Sequence, residues 1–295
     1  MKSRPSGGQG WRGWGLRIAI LASILIGLVP AAWPALDLHI AALFFDESRG
    51  FWLQDNPLVH GIYVGTNWFA RGALLAVGLT LMIQALRSRA GTQAPPGASV
   101  GRLVRPRQAL TCALLSLVIG PGLLINVVLK ENIGRARPEQ VEQFGGNRIF
   151  SAALRQADQC ERNCAFVSGH AAVGFWLASG YAISRRRQRA WLWAGAMAGF
   201  SVGLVRIVAG GHWFSDIAFS MTFTFVGIGL AYLLARASHL MSSEFHAVVE
   251  ASGLSLMEWR VMASLSGKDS LSINELASIV RAKQPTVTKL VGASK

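Results

Sequence analysis

Three short segments of the chain hold residue types that together could handle a tetrahedral oxyanion. In "LKENIGRARPEQ", Lys130 and Arg137 follow directly on the uncharged stretch 109–129. "SGH" places Ser168, Gly169 and His170 at the start of another apolar stretch, and "RIVAGGHWFSD" supplies Arg206, His212 and Asp216. Two arginines and a lysine offer a fan of N–H donors, and a guanidinium can grip phosphate oxygens in pairs. Ser–Gly–His at a helix start adds backbone N–H groups and the positive end of the helix dipole. Two imidazoles can serve as nucleophile and general acid near neutral pH. Asp216 lies four residues after His212, on one helical face if the helix has begun there, where a carboxylate would fix the imidazole tautomer and stabilise the cation formed on attack. Gly210 and Gly211 admit a close backbone approach.

These residues need elements that bring them to one depth. The chain of 295 residues is 52% hydrophobic and only 15% charged, which is poor in charge for a water-soluble protein. Six stretches approach or exceed the roughly 18 apolar residues that cross a bilayer: 18–36, 68–86, 109–129, 165–183, 190–205 and 217–235. The fifth is short enough to borrow from the residues after it. Arg71 sits near one end of the second, where it can snorkel. The first has too long an apolar core for a signal peptide and reads as an uncleaved anchor.

The net charge of +14 is not spread evenly. Lys2, Arg4, Arg12 and Arg17 in the N-terminal tail, Arg87, Arg89, Arg102, Arg105 and Arg107 in the second loop, and the run "RRRQR" (185–189) have no acid among them. The first loop instead holds Asp37, Asp46, Glu47 and Asp55 against Arg49. Basic loops stay in the cytoplasm. Both termini and loops two and four are therefore expected inside, with loops one, three and five outside. On that assignment all of the candidate residues fall on the outer side, although none of them was used to make it. The predicted fold is all-α: a six-transmembrane helix bundle over 18–236, with a cytoplasmic tail over 1–17 and a small cytoplasmic helical tail over 237–295. Residues 88–105 are rich in Pro, Gly and Ser and read as a flexible loop, and 139–164 form a long outer loop of the kind that is usually functional.

Cys160 and Cys164 fall in that outer loop, where an oxidising periplasm admits a disulfide; two free thiols fit the four-residue spacing as well. No His or third Cys accompanies them as a zinc ligand set would require. Cys112 lies inside a span and reads as a small core residue.

Lys130 to Pro138, then Ser168 to His170, then Arg206 to Asp216 resemble, in order and spacing, the three-part signature of the type-2 phosphatidic acid phosphatase family over about residues 109–220. The resemblance implies a six-helix membrane phosphatase that uses neither metal nor cofactor. It implies that His212 attacks phosphorus to form a phosphohistidine and that His170 protonates the leaving oxygen. Asp216 would orient His212, while Lys130, Arg137, Arg206, Ser168 and the Gly169 N–H hold the phosphoryl oxygens. Val167 stands where the family commonly has Pro, and Val205 where it commonly has Ser. Arg135 matches no motif position and reads as an extra contact or a snorkelling charge. A site at a bilayer rim suits a lipid phosphate as partner, in a bacterial inner membrane with the site facing the periplasm. Lipid A 1-phosphate and undecaprenyl diphosphate are favoured by that outward face over phosphatidate or phosphatidylglycerol phosphate. Phosphotransfer to a second lipid is the alternative outcome of the same intermediate. A vanadate-dependent haloperoxidase would share the site but not the six hydrophobic spans.

From residue 242 the chain takes on the character of a water-soluble segment. "QPTVTKLV" resembles the recognition helix of a MarR-type winged helix-turn-helix, cut off before the wing and the dimer-forming last helix, with Ser272 and Glu275 a loose capping signal. A membrane-anchored DNA-binding regulator is the alternative that this resemblance raises. Six basic residues after Arg236 against five acids give little drive toward nucleic acid.

Overall fold

The computed structural model describes residues 14–89, 100–183, 186–266, 270–280 and 282–293. The stretches 1–13, 90–99 and 184–185, which carry most of the N-terminal tail, most of the Pro/Gly/Ser-rich loop and part of the "RRRQR" run, lie outside the described residues. The chain divides into two compact units, Met1–Ala235 and Arg236–Lys295.

The first unit is a helical bundle. Helices α1 (Trp14–Ala32) and α2 (Ala35–Ala42) precede a two-stranded antiparallel hairpin, β1 (Phe45–Asp46) and β2 (Gly50–Phe51), in which Phe45 faces Phe51. Helix α3 (Pro57–Arg89) starts eleven residues before the predicted second span, which places His60 and Tyr63 on a helix. Helix α4 (Val100–Leu117) starts inside the stretch read as a flexible loop and continues as a π-helix, Val118–Leu129. Gly120, Pro121 and Gly122 open this wider turn: Pro121 has no N–H to give to a tight ladder, and the Asn126 amide donates to its carbonyl at 2.6 Å. The last π-type bond, from the Lys130 N–H to the Ile125 carbonyl at 3.0 Å, sets Lys130 at the helix end.

Helix α5 (Gly169–Trp176) is short and runs on as a 3-10 helix, Leu177–Ala182. Helix α6 (Gln188–Val208) takes in three residues past the predicted fifth span, so Arg206 lies in its last turn. Helix α7 (Phe214–Ala251) begins after His212. Five of these helices are long and apolar enough to cross a membrane; the predicted fourth span is not one of them. Its helical part reaches only about 24 Å, against the roughly 30 Å of a bilayer core. It is buried inside the bundle nearly throughout, from Ala171 to Tyr181, and so it faces helices rather than lipid. Helix α6 makes room for it with small residues at four-residue spacing: a Cβ at Gly199 would strike the Phe175 ring, and one at Gly195 would strike Ala178. This close packing of helix backbones is the usual membrane solution where burial from water drives nothing. The core joins Leu16 of α1, Phe175 of α5, Ile207 of α6 and Ile217, Met221 and Phe225 of α7.

A second cluster lies beside the long loop: Ala41, Phe51, Val141, Phe144, Ala165 and Trp213 pack together. It pins the long loop between Lys130 and Ser168, which is further held by a short bridge of Val141 with Arg148, the Glu142 N–H donating to the Arg148 carbonyl at 2.9 Å. Cys160 and Cys164 are joined as a disulfide, with Cα atoms 5.6 Å apart, and Cys112 is buried.

The second unit holds α8 (Leu256–Leu265), α9 (Ile273–Val280) and α10 (Gln284–Ala293), packed around Val261, Leu276, Val280 and Val287. The loose capping signal at Ser272 is a full capping box: the Glu275 N–H donates to the Ser272 hydroxyl at 3.3 Å and the Ser272 N–H to the Glu275 carboxylate at 2.9 Å.

Candidate active site

His212 sits in the turn between α6 and α7, almost fully buried. This turn needs two glycines: Gly210 has φ +67, and a Cβ on Gly211 would collide with the Arg206 guanidinium. The ring's Nδ1 lies 2.7 Å from the Ala165 carbonyl and 3.4 Å from Asp216 Oδ2. A carbonyl can only accept, so Nδ1 carries the proton and Nε2 keeps its lone pair. The expected helical-face pairing of His212 with Asp216 is not what brings them together, because α7 starts only at Phe214. Asp216 instead reaches back from the first turn of α7 and accepts the Trp213 N–H at 2.9 Å. The tautomer is set by the Ala165 carbonyl first and the carboxylate second.

Asp216 is itself held from behind. Arg135, fully buried, donates through one terminal nitrogen to Asp216 at 2.7 Å and to the Ser215 hydroxyl at 2.7 Å, and through the other to Asp37 at 2.8 Å. Its Nε–H goes to the Ser151 carbonyl at 2.8 Å, and its face lies over Trp213 and Phe150. Arg135 is thus neither a phosphate contact nor a snorkelling charge. Asp37, read from sequence as an acid of an outer loop, is fully buried and receives the Ser215 N–H at 2.8 Å.

Ser168 caps α5: its hydroxyl oxygen accepts the Ala171 N–H at 3.3 Å and its N–H donates to the Asp216 carbonyl at 3.3 Å. The first-turn N–H groups of Gly169 and His170 precede the helix's own ladder. His170 is within electrostatic range of His212, Lys130, Arg137 and Arg206. Neither of its ring nitrogens has a hydrogen-bond partner among the described residues. The ring stacks on Tyr63 of α3, centroids 4.4 Å apart, and the Arg206 guanidinium lies 4.7 Å from the centroid of that same Tyr63 ring. Arg137 donates to the Asn163 carbonyl at 3.0 Å.

The three cations are felt by the groups they surround. Burial, then Arg206, Lys130 and Arg137, push His212 well below the ordinary histidine range, against the pull of its Ala165 bond. The ring is therefore neutral at pH 7, as a nucleophile must be. Burial, followed by repulsion from Arg137 and Arg206, pushes Lys130 down to about 8.

Lys130, Arg137, His170, Arg206 and His212, from three distant segments, thus lie within electrostatic range of one another. Residues 109–239 match the PAP2 superfamily. A "Lipid A 4'-phosphatase" of Francisella tularensis subsp. novicida is 32% identical over 221 residues, which span 72% of this chain and 95% of that protein. The chain belongs to the PAP2 superfamily. It is a membrane lipid phosphatase of bacterial inner-membrane type. Two further relatives carry the same name: one from Rhizobium leguminosarum, 38% identical over 140 residues (46% of this chain, 60% of that protein), and one from Rhizobium etli, 52% identical over 68 residues (23% and 26%). No solved structure is matched. The PAP2 match ends at residue 239, ahead of α8–α10, and gives the helix-turn-helix resemblance no support.

Several residues of this cluster were not among the sequence candidates. Tyr63 stood outside the predicted spans. Ala165 acts through its carbonyl, to which side-chain identity gives no clue. Glu139, which follows Pro138 directly, lines a cavity of about 210 Å³ with Arg137, Arg206, Tyr63 and Gln54.

Proposed function

We propose that the protein removes the 4'-phosphate of a lipid A-type glycolipid at the periplasmic rim of the inner membrane, through a phosphohistidine on His212. The observation that carries this reading is the buried His212. Its proton is held on Nδ1 by Ala165 and Asp216, and its other nitrogen is left for attack within reach of the fields of Lys130, Arg137 and Arg206. The sequence expectation favoured the 1-phosphate or undecaprenyl diphosphate; the three relatives named as 4'-phosphatases move the choice to the 4' position.

Nε2 of His212 forms a bond to phosphorus as the bond from phosphorus to the sugar oxygen breaks. His170 gives that oxygen its proton. Lys130, Arg137 and Arg206, with the Ser168 hydroxyl and the Gly169 N–H, take up charge on the three phosphoryl oxygens. The imidazolium formed on attack is stabilised by Asp216. A water molecule, deprotonated by His170, then displaces the histidine and releases inorganic phosphate. No metal enters this route. We count the buried α5 segment, with its flanking residues, as a sixth pass beside the five long helices; the distribution of arginines supports six passes with both termini in the cytoplasm.

The test uses purified full-length protein with bisphosphorylated lipid A in detergent containing EDTA. Mass spectrometry should show loss of one phosphate, with fragmentation placing the remaining one at position 1 and free phosphate matching the loss. Loss from position 1, transfer of phosphate to another lipid, inhibition by EDTA, or full activity in His212→Ala would each overturn a named part of the proposal.

A further inference from the structure

Beyond the phosphate cradle the cavity changes character. Arg137 and Arg206 line one side, and Gln54, His60 and Glu139 line the rest of the polar wall. A carboxylate this close to a phosphate site weakens phosphate binding, so its placement calls for a reason. Glu139 is held there firmly. Its backbone N–H donates to the Gly210 carbonyl at 3.1 Å, in the turn that carries His212. Its Oε2 accepts from the Gln54 amide at 2.9 Å, across from the segment between β2 and α3. Its Oε1 lies 3.9 Å from an Arg137 nitrogen. The 3-10 turn Pro138–Gln140 fixes the backbone between them, with the Gln140 side chain accepting the Arg137 N–H at 3.0 Å.

We infer that Gln54 and Glu139 form a leaving-group subsite that accepts the hydroxyls of a sugar whose ring hydroxyl carries a phosphomonoester and rejects a second phosphate next to the first. The inference rests on the lipid A reading and names what selects that substrate. A sugar hydroxyl is a donor as well as an acceptor. The lone pairs of Glu139 and the Gln54 carbonyl oxygen are acceptors at the mouth. A diphosphate offers no such donor there. Its outer phosphate would occupy the cradle, and its inner phosphate would bring a second negative charge toward Glu139. Like charges a few ångströms apart at a protein surface repel by enough to cost about tenfold or more in binding, after allowance for Arg137 beside the carboxylate and for solvent.

The experiment measures kcat/KM of the purified full-length protein on bisphosphorylated lipid A, undecaprenyl diphosphate and p-nitrophenyl phosphate. Wild type, Glu139→Gln and Gln54→Ala are compared. Glu139→Gln keeps the shape and removes the charge, and it should raise the ratio of undecaprenyl diphosphate to p-nitrophenyl phosphate turnover about tenfold. Gln54→Ala should lower the ratio of lipid A to p-nitrophenyl phosphate turnover about fivefold, the effect of one neutral hydrogen bond. Ratios cancel any general change in the cradle caused by freeing Arg137. Unchanged ratios in both variants, or equal factors on all three substrates, overturn the subsite. A wild type that cleaves p-nitrophenyl phosphate but not lipid A overturns the lipid A reading instead, and the diphosphate ratio still judges Glu139.

Discussion

Arg135 offers the sharpest test of how the site is held. Its guanidinium is fully buried between two fully buried carboxylates, Asp37 and Asp216, at 2.8 and 2.7 Å. Arg135→Gln removes the one Lys or Arg paired with either of them among the described residues and leaves two buried like charges near each other. Breaking a buried pair from one side costs about 3–5 kcal/mol, and here one residue serves two partners. For a unit of this size that corresponds to a fall in apparent Tm of about 10 °C. The assay is thermal unfolding of the protein in detergent, followed by intrinsic fluorescence. Adding Asp37→Asn to Arg135→Gln should recover part of the loss, because one of the two stranded charges is then gone. Arg135→Gln within about 2 °C of wild type, or a double variant worse than the sum of the singles, would refute the claim that Arg135 works as a shared counter-ion.

Lys130, held at about 8, carries its positive charge below that pH and loses it above. The kcat/KM profile should therefore fall above about pH 8, and Lys130→Arg, which stays charged, should carry the plateau past pH 9. His212, depressed well below 6.5, stays neutral as pH falls toward 6, so the acid limb should lie below the ordinary histidine range; a limb at pH 6.5 or above would contradict its burial. Tyr63→Ala removes the ring shared by His170 and Arg206 and should cut kcat/KM about tenfold, while Tyr63→Phe keeps most of it. The Cys160–Cys164 link closes the loop whose Asn163 carbonyl holds Arg137 and whose next residues lead to Ala165. Cys160→Ser with Cys164→Ser should raise KM about fivefold with kcat less affected, read against wild type with and without reductant.

What could be read from the sequence was whatever repeats a chemical habit. Apolar runs announced the five helices long and apolar enough to cross, since the bilayer demands length and apolarity from each. The fourth run escaped that logic, because a segment enclosed by other helices answers to their small residues, Gly195 and Gly199 among them, and not to lipid thickness. The candidate residues could be collected because their side chains do the binding themselves. Ala165 contributes a carbonyl that any residue would have, and Tyr63 contributes a ring from a helix that begins where polar residues masked it. Asp37 misled more instructively: an acid in a short outer segment looks like a topological marker, and only the partner ninety-eight residues away shows it to be interior.

That partnership also bears on the chemistry. Asp37, Arg135 and Asp216 are all fully buried, and with both carboxylates ionised they carry one net negative charge beside a neutral His212. Attack by His212 turns the ring into a cation, and only then does the enclosed group balance. A single Asp–Arg pair would have cancelled itself and left nothing to favour that cation. The second carboxylate, supplied by α2 far from any catalytic motif, keeps Asp216 negative toward the histidine even while Arg135 grips its other oxygen. On this argument Asp37 favours the charged intermediate over the resting ring, and its effect should appear in the rate of histidine phosphorylation more than in substrate affinity.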